Sequence, residues 1–106
     1  MTDRGERVGV NEALFREVNE RIDQLQEALG SGRSFEIVCE CGDAGCVERF
    51  TIGSQEYAAL RTDVHRFAVV PGHEDLSVER AVERHERYLV VEKTDPDAAQ
   101  AAENMA

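Results

Sequence analysis

Phe15, Val18, Ile22, Leu25 and Leu29 recur at spacings of 3, 4, 3 and 4. That spacing places them in one stripe of an amphipathic helix and predicts a helix over about Asn11 to Leu29. Asn11 is a suitable N-cap, Val10 and Phe15 are placed for a hydrophobic staple, and Gly30-Ser31-Gly32 stops the helix. The stripe is expected to pack on the domain's own sheet. The same spacing would also suit a homodimer seam, although it covers less than three heptads.

Beyond the helix the pattern changes to short apolar runs. Phe35 to Cys39 and Val47 to Ile52 read as two strands joined by the Gly-rich turn Glu40-Cys41-Gly42-Asp43-Ala44-Gly45-Cys46. Ser54 can cap a short helix from Gln55 to about Thr62. Phe67 to Val70 is a short buried strand stopped by Pro71-Gly72, a pair that predicts a tight bend with His73 at or just past it. Val78 to Arg84 alternates as a strand would, while Val78, Ala81 and Val82 would also suit one helical turn. The strand is preferred, because His85-Glu86-Arg87 would then turn into the strand Tyr88 to Glu92.

These elements predict an α+β fold, with the N-terminal helix packed on a small, mainly antiparallel sheet. A hairpin that binds metal and a second short helix complete it. Residues 1–10 are expected to be a flexible polar segment and 11–94 a single domain. Residues 95–106 are expected to be an acidic, Ala-rich tail, frayed or disordered, where Asp95-Pro96 either ends the domain or starts a frayed helix. A chain of 106 residues with 42% apolar positions can form one core, and its stability margin is thin enough for a metal clip to matter.

The formal charge is −10, spread as −2 over residues 1–34, −5 over 35–94 and −3 over 95–106. Diffuse acidity repels phosphate backbones and anionic membranes, so another protein is the expected partner rather than nucleic acid or a lipid surface. The N-terminus shows no apolar signal region, and the longest bulky apolar runs, Phe67–Val70 and Tyr88–Val91, are far too short to span a bilayer. Three cysteines leave one unpaired if a disulfide forms, and the expectation is a reducing, cytoplasmic setting.

Chemistry concentrates at Cys39-Glu40-Cys41 and Cys46, a C-x-C-x4-C cluster. Thiolates are preferred ligands of tetrahedral Zn²⁺. Gly42 and Gly45 can supply the tight turn that brings three sulfurs to one point. Two other readings are simple burial of small apolar thiols and a disulfide. Cys39 with Cys41 would be strained, but either could pair with Cys46. Among possible fourth ligands His73 is preferred, because Pro71-Gly72 fixes its backbone at the end of a strand expected beside the hairpin. His65, His85, Asp43 and Glu40 remain open. A Cys3His set fills the coordination sphere, which marks a structural Zn²⁺ site.

The runs Asn11 to Ile22, Phe35 to Asp43, Phe67 to His73 and Tyr88 to Lys93 resemble small uncharacterised bacterial proteins of high-GC genomes. The resemblance implies that Cys39, Cys41, Cys46 and His73 belong to that family's pattern, and it implies no activity. The excess of Arg over Lys fits such a genome.

The expected function is a structural-zinc module for protein interaction or regulation, acting as a monomer or as a homodimer through the helix stripe. One alternative is a thiol and zinc redox sensor, whose clustered thiolates would oxidise and release the ion. However, the spacing differs from the His-x3-Cys-x2-Cys arrangement of zinc anti-sigma factors. The other is a zinc hydrolase or deaminase with Glu40 or Glu74 as base, which would need an open metal position. The His-x-Glu and Pro-Cys-x-x-Cys deaminase arrangement is absent from the sequence.

Overall fold

The computed structural model describes residues 4–29, 34–41, 43 and 45–104, with side chains of the first helix described from Asn11 to Gln26. The order is α1 (Arg4–Leu29), β1 (Ser34–Val38), β2 (Arg49–Gly53), α2 (Ser54–Leu60), β3 (Arg66–Val69), β4 (Glu79–Arg84), β5 (Leu89–Lys93) and α3 (Pro96–Asn104). The fold is α+β, as the pattern predicts. Its strands form two antiparallel sheets, a β1-β2 hairpin and a three-stranded sheet in the order β3-β5-β4.

Alternation sets the hairpin register. Phe35 pairs with Ile52 and Ile37 with Phe50, so all four turn the same face inward and are buried. In the second sheet β5 is central, and Leu89, Val90 and Val91 are all buried. Burial on both faces explains why this strand reads as a continuous apolar run. The ambiguous segment is the edge strand β4, with an irregularity between Ala81 and Glu83. One core joins Phe35, Ile37, Ile52, Tyr57, Leu60, Phe67, Val69 and Val91. Each such side chain contributes about 1.5–3 kcal/mol through burial.

The helices depart from the sequence expectation in three respects. First, α1 runs from Arg4, so residues 4–10 are helical rather than the flexible segment expected over 1–10, and Asn11 lies inside the helix and does not cap it. Second, the Phe15/Val18/Ile22/Leu25/Leu29 stripe is not seated on the sheet as a unit. Ile22 packs against the core and Phe15 is half-buried, but Val18 is 45% and Leu25 62% exposed. The Leu29 side chain lies outside the described residues. The face turned inward carries Glu12, Ala13, Arg16 and Asn19.

That inversion is possible because the buried polar groups find partners. Lys93 on β5 donates to both Glu12 and Glu79. Arg16 donates to the Val64 carbonyl at 2.6 Å and the Ala102 carbonyl at 3.0 Å, and its guanidinium lies 5.1 Å from the Phe67 ring centre. Asn19 donates to the Val38 carbonyl at 2.9 Å and accepts from the Val38 N–H at 2.8 Å. Burial pushes the Glu12 carboxyl well above the usual range, against the opposing effect of the nearby Lys93 charge.

Third, the segment expected to be a frayed tail forms α3. Asp95 Oδ1 accepts the N–H groups of Asp97 and Ala98 at 2.9 and 3.0 Å, capping the helix, and Pro96 suits its first position. The small side chains of Ala98, Ala101 and Ala102 are buried, and the helix packs along α1. At α2 the cap is Gly53, without a side-chain bond. Ser54, expected to cap, is the first helical residue. No helix among the described residues is long and apolar enough to cross a membrane.

Candidate metal centre

Cys39 and Cys41 leave the end of β1, Cys46 lies just before β2, and His73 follows the turn that ends β3. The hairpin ladder continues one step past β1, through the Cys39 N–H to the Glu48 carbonyl at 2.9 Å. On the return side, the Cys46 N–H donates to the Asp43 carbonyl at 3.0 Å and the Gly45 N–H to Asp43 Oδ1 at 2.9 Å, closing the loop. Gly45 has no positive φ, so the left-handed freedom expected of it is not used, and Gly42 lies outside the described residues. The glycine that does need that freedom is Gly72, with φ of 95°. Pro71 and Gly72 form the centre of a tight turn closed by the His73 N–H on the Val70 carbonyl at 2.9 Å.

That turn aims the imidazole at the hairpin tip. His73 Nδ1 lies 3.5 Å from Cys46 Sγ and 3.8 Å from Cys39 Sγ. One ligand atom from each of Cys39, Cys41, Cys46 and His73 can be chosen so that all four lie within 4.8 Å of one another. These residues are close enough to hold a metal ion, and they form the only such cluster among the described residues. Cys39 and Cys41 are buried, whereas Cys46 and His73 are half-buried. All three thiols are free of disulfides.

The electrostatics suit a cation. The hydrogen bond between Cys39 and Cys41, helped by the His73 contact, lowers the Cys41 thiol to about 5 against the opposing effect of burial. The same bond, with burial, raises the Cys39 thiol. Burial also raises the thiol of Cys46. The Val70 N–H donates to Cys39 Sγ at 3.2 Å, support of the kind that stabilises a ligating thiolate.

The residue between the first two cysteines points elsewhere. Glu40 is fully buried and accepts from Asn19 Nδ2 at 2.8 Å, Arg61 Nη2 at 2.6 Å and the Ala68 N–H at 2.9 Å. Its own N–H donates to the Ala68 carbonyl at 2.9 Å. Glu40 therefore ties the hairpin to β3, with its carboxylate taking the place of a main-chain acceptor. In extended chain, alternate residues face opposite sides. Cys39 and Cys41 thus share one face, towards His73, and Glu40 takes the other, towards Asn19 and Arg61.

The remaining candidates are occupied away from the cluster. His65 Nε2 is 3.0 Å from Glu103, and His85 Nε2 is 2.9 Å from Glu83 with its ring stacked on Tyr88. Asp43 is spent on the Gly45 N–H. Glu40, weighed as a ligand or a base, is held by its three donors. Glu74, the other candidate base, accepts the Gly72 N–H at 2.7 Å. Sequence reasoning missed the Asn19–Glu40–Arg61 network, although alternation around Glu40 carried a signal for it. No protein-family model, curated protein or solved structure matches the chain.

Proposed function

We propose that this domain is a protein-interaction or regulatory module closed by a structural Zn²⁺ ion on Cys39, Cys41, Cys46 and His73. The observation that carries this is the convergence of four ligand atoms within 4.8 Å from both sides of a hairpin tip and from a turn on the other sheet. Thiolate and imidazole ligands favour zinc over the hard cations, and four protein ligands leave no position open for substrate. The ion would join the two sheets and supply binding free energy to folding. Structural zinc binds small peptides with about 10–16 kcal/mol. A protein partner fits the diffuse negative charge and the exposed apolar side chains of Val47 and Leu76, close in sequence to Cys46 and His73.

The test is metal removal followed by far-UV circular dichroism and a thermal melt. The stripped chain should lose its cooperative transition and regain it with zinc, and a native melt without metal would overturn a structural role. Cobalt substitution separates this from an enzyme, because a Cys3His centre shows tetrahedral thiolate bands and no exchangeable water.

Cys46 supports a second reading, as a thiol sensor, because it is the cysteine ligand open to solvent. Peroxide would oxidise its thiolate to sulfenic acid and release hydroxide. Attack by the Cys41 thiolate would then form a disulfide, release a second hydroxide and free the ion. A sensor loses zinc under mild peroxide and recovers it after reduction, whereas an inert staple keeps it.

A further inference from the structure

Between Asn11 and Gln26, helix α1 turns three polar side chains inward and leaves part of its apolar side chains in solvent. Glu12, Arg16 and Asn19 face the core with partners there, beside buried Ala13 and the core-packed Ile22, which leaves Leu14, Val18 and Leu25 on the opposite face. Leu14, Val18 and Leu25 are 46%, 45% and 62% exposed. Together with Arg21 they follow spacings of 4, 3 and 4, the rhythm of a two-helix seam. Five large apolar side chains are exposed among the described residues, and three of them lie on this one face.

Arg21 selects the occupant. It interrupts the apolar stripe, and its neighbour one turn earlier is Glu17, at 3.6 Å, with both side chains largely exposed. A parallel pairing of two copies would set Arg21 against Arg21. An antiparallel pairing centred between Asn19 and Glu20 sets Leu14 against Leu25, Val18 against Arg21, and Arg21 beside Glu17 of the other copy. The arginine stem then covers Val18 while its charge reaches the carboxylate. The order of apolar and charged positions on this face is thus self-complementary under a two-fold axis.

We propose that the domain forms an antiparallel homodimer through α1, with Leu14, Val18 and Leu25 in the seam and reciprocal Arg21–Glu17 pairs across it. This deepens the assignment as an interaction module by naming a second copy as partner. It does not depend on the identity of the metal.

Sedimentation velocity on the full chain, with metal content and circular dichroism measured on the same samples, tests it. The protein should be dimeric at micromolar concentration. Leu25→Lys should be monomeric with unchanged metal content and helicity, since the side chain is mostly in solvent. Arg21→Glu should weaken the dimer about tenfold or more, from loss of the pairs and like-charge contact. Glu17→Arg with Arg21→Glu should restore it to within about threefold, because the pairs re-form with signs exchanged. A photo-reactive diazirine residue replacing Leu14 should cross-link, in an isotope-mixed sample, to the peptide Ile22–Arg33 of the other copy. A monomeric wild type, a dimer indifferent to Leu25→Lys, absence of rescue, or cross-linking between the two position-14 peptides would overturn the proposal. Metal content on each sample keeps that failure distinct from failure of the zinc assignment.

Discussion

Replacing Glu40 by Ala removes the one side chain that ties the hairpin to both α1 and the second sheet. The carboxylate is fully buried and accepts three hydrogen bonds, from Asn19, Arg61 and the Ala68 N–H. Its loss strands the Arg61 guanidinium, whose side chain is only 13% exposed, and orphans the Ala68 N–H and one of the two Asn19 Nδ2 protons, the other staying on the Val38 carbonyl. Breaking one side of a buried ion pair costs about 3–5 kcal/mol. Each orphaned donor adds about 1–3 kcal/mol unless water enters the space left by the side chain. Ala leaves room for water, so about 4 kcal/mol is expected in total, a large part of the roughly 5–15 kcal/mol that holds such a domain. At a urea slope of about 2 kcal/mol/M this lowers the unfolding midpoint by about 2 M. The comparison is Glu36→Ala, whose partner Arg49 lies 3.7 Å away on an exposed face and contributes under about 1 kcal/mol. Adding Arg61→Ala to Glu40→Ala should recover part of the loss, because it removes the uncompensated charge. Equal midpoints for Glu40→Ala and Glu36→Ala would refute the assignment of Glu40 as the tie.

Other expectations concern protonation, backbone and ligation. Because burial raises the Glu12 carboxyl, the folded chain keeps a proton that the unfolded chain sheds above about pH 4.3. Its contribution to stability therefore falls as pH rises from there towards the folded value. In urea titrations at several pH values, Glu12→Gln should gain stability relative to wild type as pH increases, and a constant difference would contradict this. Gly72→Ala meets no atom within 4 Å, so its cost is conformational, about 1–2 kcal/mol at φ of 95°, visible in a thermal melt and accompanied by weaker metal binding. His73→Ala should lose stoichiometric zinc while His65→Ala and His85→Ala retain it, measured by elemental analysis after dialysis.

Much of the fold was legible where a pattern had one physical meaning. Alternation located the β1-β2 hairpin, Pro71-Gly72 located the turn before His73, and an apolar run located the strand β5, whose burial on both faces came only with the structure. The cysteine spacing was legible because few arrangements other than a metal site bring together three thiols in eight residues. The orientation of α1 was not legible, because periodicity fixes that a helix has two faces and not which one turns inward. Glu12, Arg16 and Asn19 are buried only because Lys93, Val64, Ala102, Val38 and Glu40 answer them from distant parts of the chain. The docking of α3 escaped for a similar reason. Its alanines look featureless in sequence and become a close-packing surface only once α1 lies beside them.

The proposed Zn²⁺, shared by a hairpin tip and one imidazole, adds a link between two sheets that the Glu40 bonds and a common apolar core already join. Native mass spectrometry of freshly purified protein, with no metal added at any stage, should find one zinc per chain and three reduced thiols. A metal-free native ion, or a Cys41–Cys46 disulfide in its place, would contradict it.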